Sequence, residues 1–192
     1  LENLLASERR FSFTEQGVGL HTDQVFEKRV VVSPNDALKI TLVYTDVPGL
    51  PAAIPALVNN LDLEVVGPNG KLYRGNAFLD GESMPDTPVG DDRNNVEGVH
   101  LAAPLPGEYI VRVRAVNVVE DIHHRPTPTP EQDFALVISG DLPEPGEGIV
   151  FLDRGVYPAP AVALVRLSDQ QLAGQPSGRI SVSSTTDPVG ST

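Results

Sequence analysis

Oxygen-bearing side chains concentrate between residues 59 and 97, and they are the residues whose types could do chemistry. On a strand, Asn60, Asp62 and Glu64 fall on one face, because successive side chains of a strand point to opposite sides. A second acidic group, residues 91–97, reads Asp-Asp-Arg-Asn-Asn-Val-Glu. Carboxylates, amides and backbone carbonyls are the ligands that Ca²⁺ takes, six to eight at a time.

The segment from Ala77 to Gly90 lies between these two groups and shows no periodicity. A loop of this length inside a compact domain is uncommon unless it has a function or is held in place. One interpretation is a structural Ca²⁺ that pins the loop to the strand of Asn60 and Asp62. The other is a solvated acidic loop in which Asn and Asp form turns. No EF-hand spacing is present to decide between them.

Catalytic chemistry has little support in the residues. The chain has no Cys, which excludes thiol catalysis, disulfides and Cys-ligated zinc. Gly81-Glu82-Ser83 faintly resembles a protease nucleophile turn, but Pro85 follows where a helix should begin, so we predict that Ser83 is a loop residue. For the histidines we predict surface or packing roles; they are His21, His100, His123 and His124.

The elements that must position these residues are strands. Short runs rich in Val, Ile, Leu and Thr alternate with Gly and Pro, and no segment has a convincing helical period. Leu1–Ser7 could form a last helical turn. The predicted strands of the main segment are 25–33, 37–45, 61–66, 71–74, 96–101, 108–117 and 134–139. The chain is therefore predicted to be all-β.

Composition narrows the classes of partner. The 192 residues contain 14 Lys+Arg and 26 Asp+Glu, so the net charge is 14 − 26 = −12. This charge argues against a nucleic-acid backbone or an anionic membrane as partner. No apolar run is long enough to span a membrane, and Leu1–Leu5 has no signal-peptide features, so the start resembles the middle of a longer chain.

A Pro/Gly-rich acidic stretch, Gly140–Glu147, predicts a domain boundary. Beyond it, three further strands are predicted at 149–152, 162–167 and 180–183. Three strands are too few for an independent sandwich, so residues 148–192 are predicted to begin a further, truncated β-domain. The alternative is that these strands add to the sheets of the first domain.

Several spaced motifs resemble one known module. They are Leu38–Asp46, Leu57–Leu63, Gly67–Gly70, Gly75-Asn76, Asp92–Glu97, Ala103-Pro104, Pro106–Tyr109 and Phe134–Val137. In this order they resemble the C-terminal β-barrel domain of a branch of secreted subtilisin-like serine proteases, over roughly residues 25–141. Residues 148–192 are similar to the immunoglobulin-like repeats that follow such proteases.

The resemblance implies an antiparallel jelly-roll β-sandwich or barrel, like the P domain of proprotein convertases. It also implies bound calcium, packing against the catalytic domain of the same parent chain, and an extracellular location. Residues 1–24 would then end the catalytic domain and connect it to a jelly-roll at 25–141. Without a Ser/His/Asp triad, the chain is expected to be a non-catalytic accessory module that stabilises or orients the protease and contacts its protein substrate or matrix.

The expected calcium ligands combine this resemblance with geometry. Asp62 lies on a strand face, and residues 92–97 end a loop and enter the next strand, so the two segments can converge. Arg93 is the only cation near them in sequence. The expected side-chain ligands are Asp62, Asp92, Asn95 and Glu97, with Asn60, Asn76 and Asp46 as further candidates.

Two other functions remain open from the sequence. A secreted carbohydrate- or matrix-binding β-sandwich could share the fold and a structural calcium. The sugar-binding surfaces of such modules usually contain exposed aromatic rings. Here aromatic residues are 5% of the chain, and there is no Trp. A purely adhesive or spacer array is supported by the second β-segment alone.

Overall fold

The computed structural model describes residues 10–33, 35–123, 128–143, 149–152 and 165–168. Within them, eleven strands and no helix are present. The strands are β1 Arg10–Leu20, β2 Val25–Val32, β3 Leu38–Val43, β4 Asn60–Val66, β5 Leu72–Leu79, β6 Glu82–Pro85, β7 Val96–Leu101, β8 Gly107–Asn117, β9 Gln132–Gly140, β10 Ile149–Leu152 and β11 Val165–Ser168. The prediction of an all-β chain is confirmed. The described residues contain no apolar helix of membrane-spanning length.

The first nine strands form two antiparallel sheets with jelly-roll connectivity. One sheet has the order β1-β9-β3-β7 and the other β2-β8-β4-β5-β6. Each of the first four strands pairs with a later one, as β1 with β9, β2 with β8, β3 with β7 and β4 with β5. This rolled-up hairpin is the jelly-roll pattern. The two sheets are separate, so the fold is a sandwich and not a closed barrel.

Alternation along the strands fills the space between the sheets. In β4 and β8 every second residue is buried, and those inward positions carry Leu, Val, Ala and Tyr. The fully buried side chains include Leu38, Ile40, Leu42, Leu61, Leu63, Val65, Val111, Val113, Leu136 and Ile138. The central strands therefore match their predicted positions closely.

Two strands were missed by the sequence prediction. Arg10–Leu20 was assigned to a connecting segment, but it is β1 and pairs with β9 from Arg10 opposite Gly140 onward. The jelly-roll thus begins at residue 10 and not at residue 25. The apolar residues of β1 do not mark its buried face, because Phe13 is 61% exposed while Ser12 and Thr14 are half-buried.

The second missed strand corrects the long loop expected at 77–90. β5 extends to Leu79 and turns at Asp80-Gly81 into β6. Both turn residues have positive φ, 51° and 85°, as the two-residue hairpin turn with an Asp-Gly sequence requires. Residues 77–85 therefore belong to a hairpin, and the irregular segment that follows is 86–95.

The chain divides into two compact units, Leu1–Pro143 and Glu144–Thr192. In the second unit β10 and β11 pair with each other, Ile149 opposite Ser168, and belong to neither sheet of the sandwich. The predictions for 1–7 and 180–183 lie outside the described residues, and the immunoglobulin-like character of the second unit stays a prediction.

A buried polar cluster closes one end of the sandwich. Asn59 is fully buried, and its amide nitrogen donates to Glu120 O at 2.8 Å and to Gln132 Oε1 at 2.9 Å. Its Oδ1 accepts from the backbone N–H groups of Val119 and Glu120 at 3.0 and 3.2 Å. One amide thus ties the end of the 44–59 segment to the β8–β9 connection, because buried polar groups must be paired.

Asn59→Ala is expected to lower the free energy of unfolding by about 2–4 kcal/mol, because it leaves several buried partners unsatisfied. Denaturant unfolding monitored by circular dichroism measures it. Asn117→Ala removes an exposed amide and serves as the control, with an expected change within about 0.5 kcal/mol. Equal losses in the two variants would show that the cluster does not hold the end of the sandwich.

Candidate cation site

Glu97 is a carboxylate on the inward face of β7. The strand alternates so that Glu97, Val99 and Leu101 face the interior, and Glu97 is 0% exposed. Its Oε2 accepts a hydrogen bond from the backbone N–H of Leu63 at 2.8 Å. Its Oε1 is buried and has no hydrogen-bond partner. A buried carboxyl oxygen without a partner is costly, so this atom requires an explanation.

The carboxylate occupies a gap in the β4–β5 ladder. These strands pair from Val66 opposite Leu72 to Glu64 opposite Arg74, and the pairing ends there. Continued by one residue, the ladder would place Leu63 opposite Gly75, but Leu63 donates to Glu97 instead. A Cβ at Gly75 would overlap Glu97 Oε2, so the position accommodates the carboxylate only as glycine.

Asp62, on β4, lies close enough for its charge to act on Glu97, and Asn60 is bonded to Asp62. The Asn60 amide nitrogen donates to Asp62 Oδ1 at 3.2 Å, while Asn60 Oδ1 is buried and has no partner. Asp62 Oδ2 packs against Gly90, where a Cβ would overlap it. Glycines therefore flank both carboxylates, and the irregular 86–95 segment passes directly over Asp62.

Burial and mutual repulsion make these carboxyl groups reluctant to ionise. Burial raises the pKa of Glu97 to about 8; the Leu63 N–H opposes this rise, and the charges of Asp62 and Asp91 add to it. The pKa of Asp62 is also raised, by burial first and then by Glu64, against opposing effects of Asn60, Arg74 and Arg114. Arg93 is thus not the only cation nearby, because Arg114 is the cross-strand partner of Asp62.

Asn76 and Asp91 hold the loop beside the site. The Asn76 amide nitrogen donates to Asp91 Oδ2 at 2.6 Å and to Val96 O at 2.9 Å, and its Oδ1 accepts from Gly98 N at 2.9 Å. The side-chain oxygen of Asn76 therefore already has a hydrogen-bond partner, and the residue joins β5 to β7. Burial opposes ionisation of Asp91, but hydrogen bonds from Asn76 and Asn94 prevail and lower its pKa. Asp91 was not among the predicted ligands, although it stands next to Asp92 in the sequence.

The remaining predicted ligands lie elsewhere or make other contacts. Asp46 accepts from three backbone N–H groups, those of Val47, Val58 and Asn59, at 2.7–2.9 Å. Asp92 is exposed and has Arg93 Nε 3.7 Å away. The exposed Asn95 donates its amide to Tyr44 O at 2.9 Å. Of the predicted set, Asp62 and Glu97 interact electrostatically, and Asn60 is joined to Asp62 by a hydrogen bond.

The donor chemistry of these three residues fits a hard cation. Two carboxylates and an amide present oxygen ligands, and two of those oxygens, Glu97 Oε1 and Asn60 Oδ1, are buried without partners. In the described ranges no group of three or more His, Asp or Glu side chains converges. A cation held here would therefore need neutral oxygens beside the two carboxylates.

Ser83, His21 and His100 make structural contacts. Ser83 lies in β6, not in a loop, and its buried Oγ accepts the backbone N–H of His100 at 2.9 Å. The His100 ring contacts Gly81 O at 2.9 Å, and the His21 ring contacts Pro130 O at 2.8 Å, each through Nδ1. His124 lies outside the described residues.

Comparisons with known proteins give limited similarity. No family model matches the chain. Over 104 residues, or 53% of the chain, it is 33% identical to the serine protease/ABC transporter B family protein tagA of Dictyostelium discoideum, and the match spans 5% of that protein. Among solved structures, PliG of Aeromonas hydrophila, a periplasmic inhibitor of g-type lysozyme, has 11% identity and a TM-score of 0.30 over 70% of this chain and 87% of its own. A Sulfurospirillum deleyianum protein has 8% identity and a TM-score of 0.34, over 67% and 96% respectively.

The raised pKa of Glu97 makes the stability of the metal-free protein depend on pH. The folded state holds the proton up to about pH 8, whereas an ordinary glutamate releases it near 4.5. The contribution of Glu97 to folding stability is therefore fully present below about pH 4.5 and is lost between pH 4.5 and about 8, by at most about 1.4 kcal/mol per pH unit. Three other titratable groups interact with the Glu97 carboxyl group, namely Asp62, Asp91 and the Tyr44 hydroxyl.

Denaturant unfolding in the presence of a chelator, measured from pH 4.5 to 8, gives the slope of the free energy of unfolding against pH. Glu97→Gln is expected to flatten it, whereas Glu82→Gln, at an exposed position of β6, is expected to leave it unchanged. An identical slope in wild type and Glu97→Gln would contradict the assignment.

Proposed function

We propose that this chain is a non-catalytic, calcium-binding accessory domain of an extracellular subtilisin-like serine protease, which stabilises or orients the catalytic domain of the same parent chain. The observation that carries the protease link is the 33% identity over 104 residues to a protein named as a serine protease. The match is partial, and it covers a small fraction of that protein. The jelly-roll connectivity agrees with the module that the sequence motifs resemble.

The calcium part of the proposal rests on unpaired oxygens. Glu97 Oε1 and Asn60 Oδ1 are buried without partners next to the Asp62 carboxylate. Calcium would be held by Asn60, Asp62 and Glu97 with neutral oxygens completing its shell, and it would place positive charge beside the buried carboxyl group of Glu97 and the half-buried one of Asp62. Asp92, Asn95 and Asp46 are left out of this set because of their exposure or their other contacts, and Asn76 acts as a positioning residue.

A non-catalytic role agrees with the contacts of Ser83. Its hydroxyl accepts a backbone N–H, and the nearby His100 ring is engaged through Nδ1 with a carbonyl, so these two side chains are not arranged as a nucleophile and its base. The full chain is expected to hydrolyse no peptide or casein substrate. Turnover that a serine-protease inhibitor blocks and Ser83→Ala abolishes would contradict the proposal.

Calcium is expected to stabilise the folded protein. At one hundred times its dissociation constant, a ligand specific for the folded state adds about 2.7 kcal/mol, which shifts the melting temperature by several degrees. Melting of the full chain with excess calcium and with a chelator measures this difference. Asp62→Asn and Glu97→Gln are each expected to remove most of it.

Asp92→Asn is the matched control, because Asp92 is exposed and was predicted as a ligand from sequence. It is expected to keep the calcium-dependent shift. If Asp92→Asn abolishes the shift while Asp62→Asn retains it, the cation lies at the exposed loop and the assignment to Glu97 is wrong. If the wild-type melting curves in calcium and in chelator coincide, the protein has no stabilising calcium site.

A further inference from the structure

The segment between β3 and β4 carries an exposed apolar loop that no site described above uses. All nine residues from 48 to 56, hereafter the apical loop, are exposed. Its two large side chains are almost fully in water, with Leu50 82% and Ile54 94% exposed. Apolar surface collected in one place on a soluble domain marks a site of interaction.

The apical loop and the residues that flank it are entirely apolar. From Val47 to Leu57 the sequence is Val-Pro-Gly-Leu-Pro-Ala-Ala-Ile-Pro-Ala-Leu, with no charged and no hydrogen-bonding side chain, in a chain of net charge −12. Three of the nine loop residues are prolines, which have no backbone N–H, and the N–H of Ala53 is bonded to Leu50 O at 3.1 Å. Fewer free N–H groups lower the cost of leaving water.

The base of the apical loop is closed by hydrogen bonds. The Asp46 carboxylate bonds the N–H of Val47 on one arm and those of Val58 and Asn59 on the other. The buried side chain of Val47 and the amide of Asn59 anchor these arms in the sandwich. Because the loop is preorganised, docking it costs little conformational entropy.

The dimensions of the apical loop favour one kind of occupant. A stable protein interface uses about 20–30 residues a side, with polar groups that give specificity, and this loop offers nine residues with no polar side chain. A lipid interface needs no matching polar groups: binding grows with the apolar area that is buried about 5–10 Å deep. Two arms of four or five residues can span that depth at about 3.3 Å per residue.

We propose that the apical loop inserts Leu50 and Ile54 into the interface of a zwitterionic lipid bilayer. The negative charge of the chain argues against binding to anionic membranes but does not oppose binding to a neutral one. The proposal therefore departs from the sequence-based expectation that the chain has no membrane partner. This inference goes beyond the proposed accessory function and does not depend on it.

Sedimentation of the full chain with phosphatidylcholine vesicles tests the proposal. Wild type is expected to partition onto the vesicles, less strongly when phosphatidylserine is added. The double variant Leu50→Ser/Ile54→Ser is expected to bind at least about a hundredfold more weakly, since burying each of the two side chains is worth about 1.5–3 kcal/mol and 1.4 kcal/mol is tenfold. Leu79→Ser, at a leucine 60% exposed beside the β5–β6 turn, is the matched control and is expected to bind as wild type does.

Three results would overturn the proposal. The first is no partition of wild type onto phosphatidylcholine, and the second is equal partition of the double variant. The third is a loop-dependent dimer in sedimentation velocity without vesicle binding, which would make a second copy the occupant. Thermal unfolding of both variants verifies that they are folded.

Discussion

The buried carboxylate of Glu97 is the constraint on which the candidate site depends. It lies on β7, in the four-stranded sheet, yet it bonds the backbone of Leu63 on β4, in the five-stranded sheet. A carboxylate in that position ends the β4–β5 ladder and excludes a side chain at Gly75. One side chain thus links the two sheets at the edge where β5 leaves β4.

The surrounding residues follow from that constraint. Once β5 separates from β4, its continuation needs new partners, and Asn76 provides them by bonding Val96 O and Gly98 N on either side of Glu97. Asn76 also holds Asp91, so the 86–95 segment is fixed where Gly90 packs on Asp62. A cation beside Asp62 and Glu97 would offset the repulsion that this packing creates, because buried like charges raise each other's free energy.

Sequence reasoning predicted the central strands because their two-residue alternation reflects burial directly, as in β4 and β8. It missed β1, in which the large apolar side chain of Phe13 is exposed, and β6, although Asp80-Gly81 carries the hairpin signal. It placed the oxygen-bearing residues in two groups, one on β4 and one at 91–97, whose role as cation ligands stays a prediction. It could not separate Glu97 and Asp62 from Asp92 or Asp46, because whether a carboxylate meets backbone N–H groups, water or an unpaired neighbour is decided by packing between distant segments.

The jelly-roll scaffold thus positions a buried carboxyl group, that of Glu97, at the junction of its two sheets. The most direct test of calcium binding there is anomalous diffraction from crystals of the full chain grown with calcium. We expect an anomalous peak in contact with Glu97 Oε1, Asn60 Oδ1 and the Asp62 carboxylate. A map with no peak there, or with its only peak at Asp92 and Asn95, would contradict it.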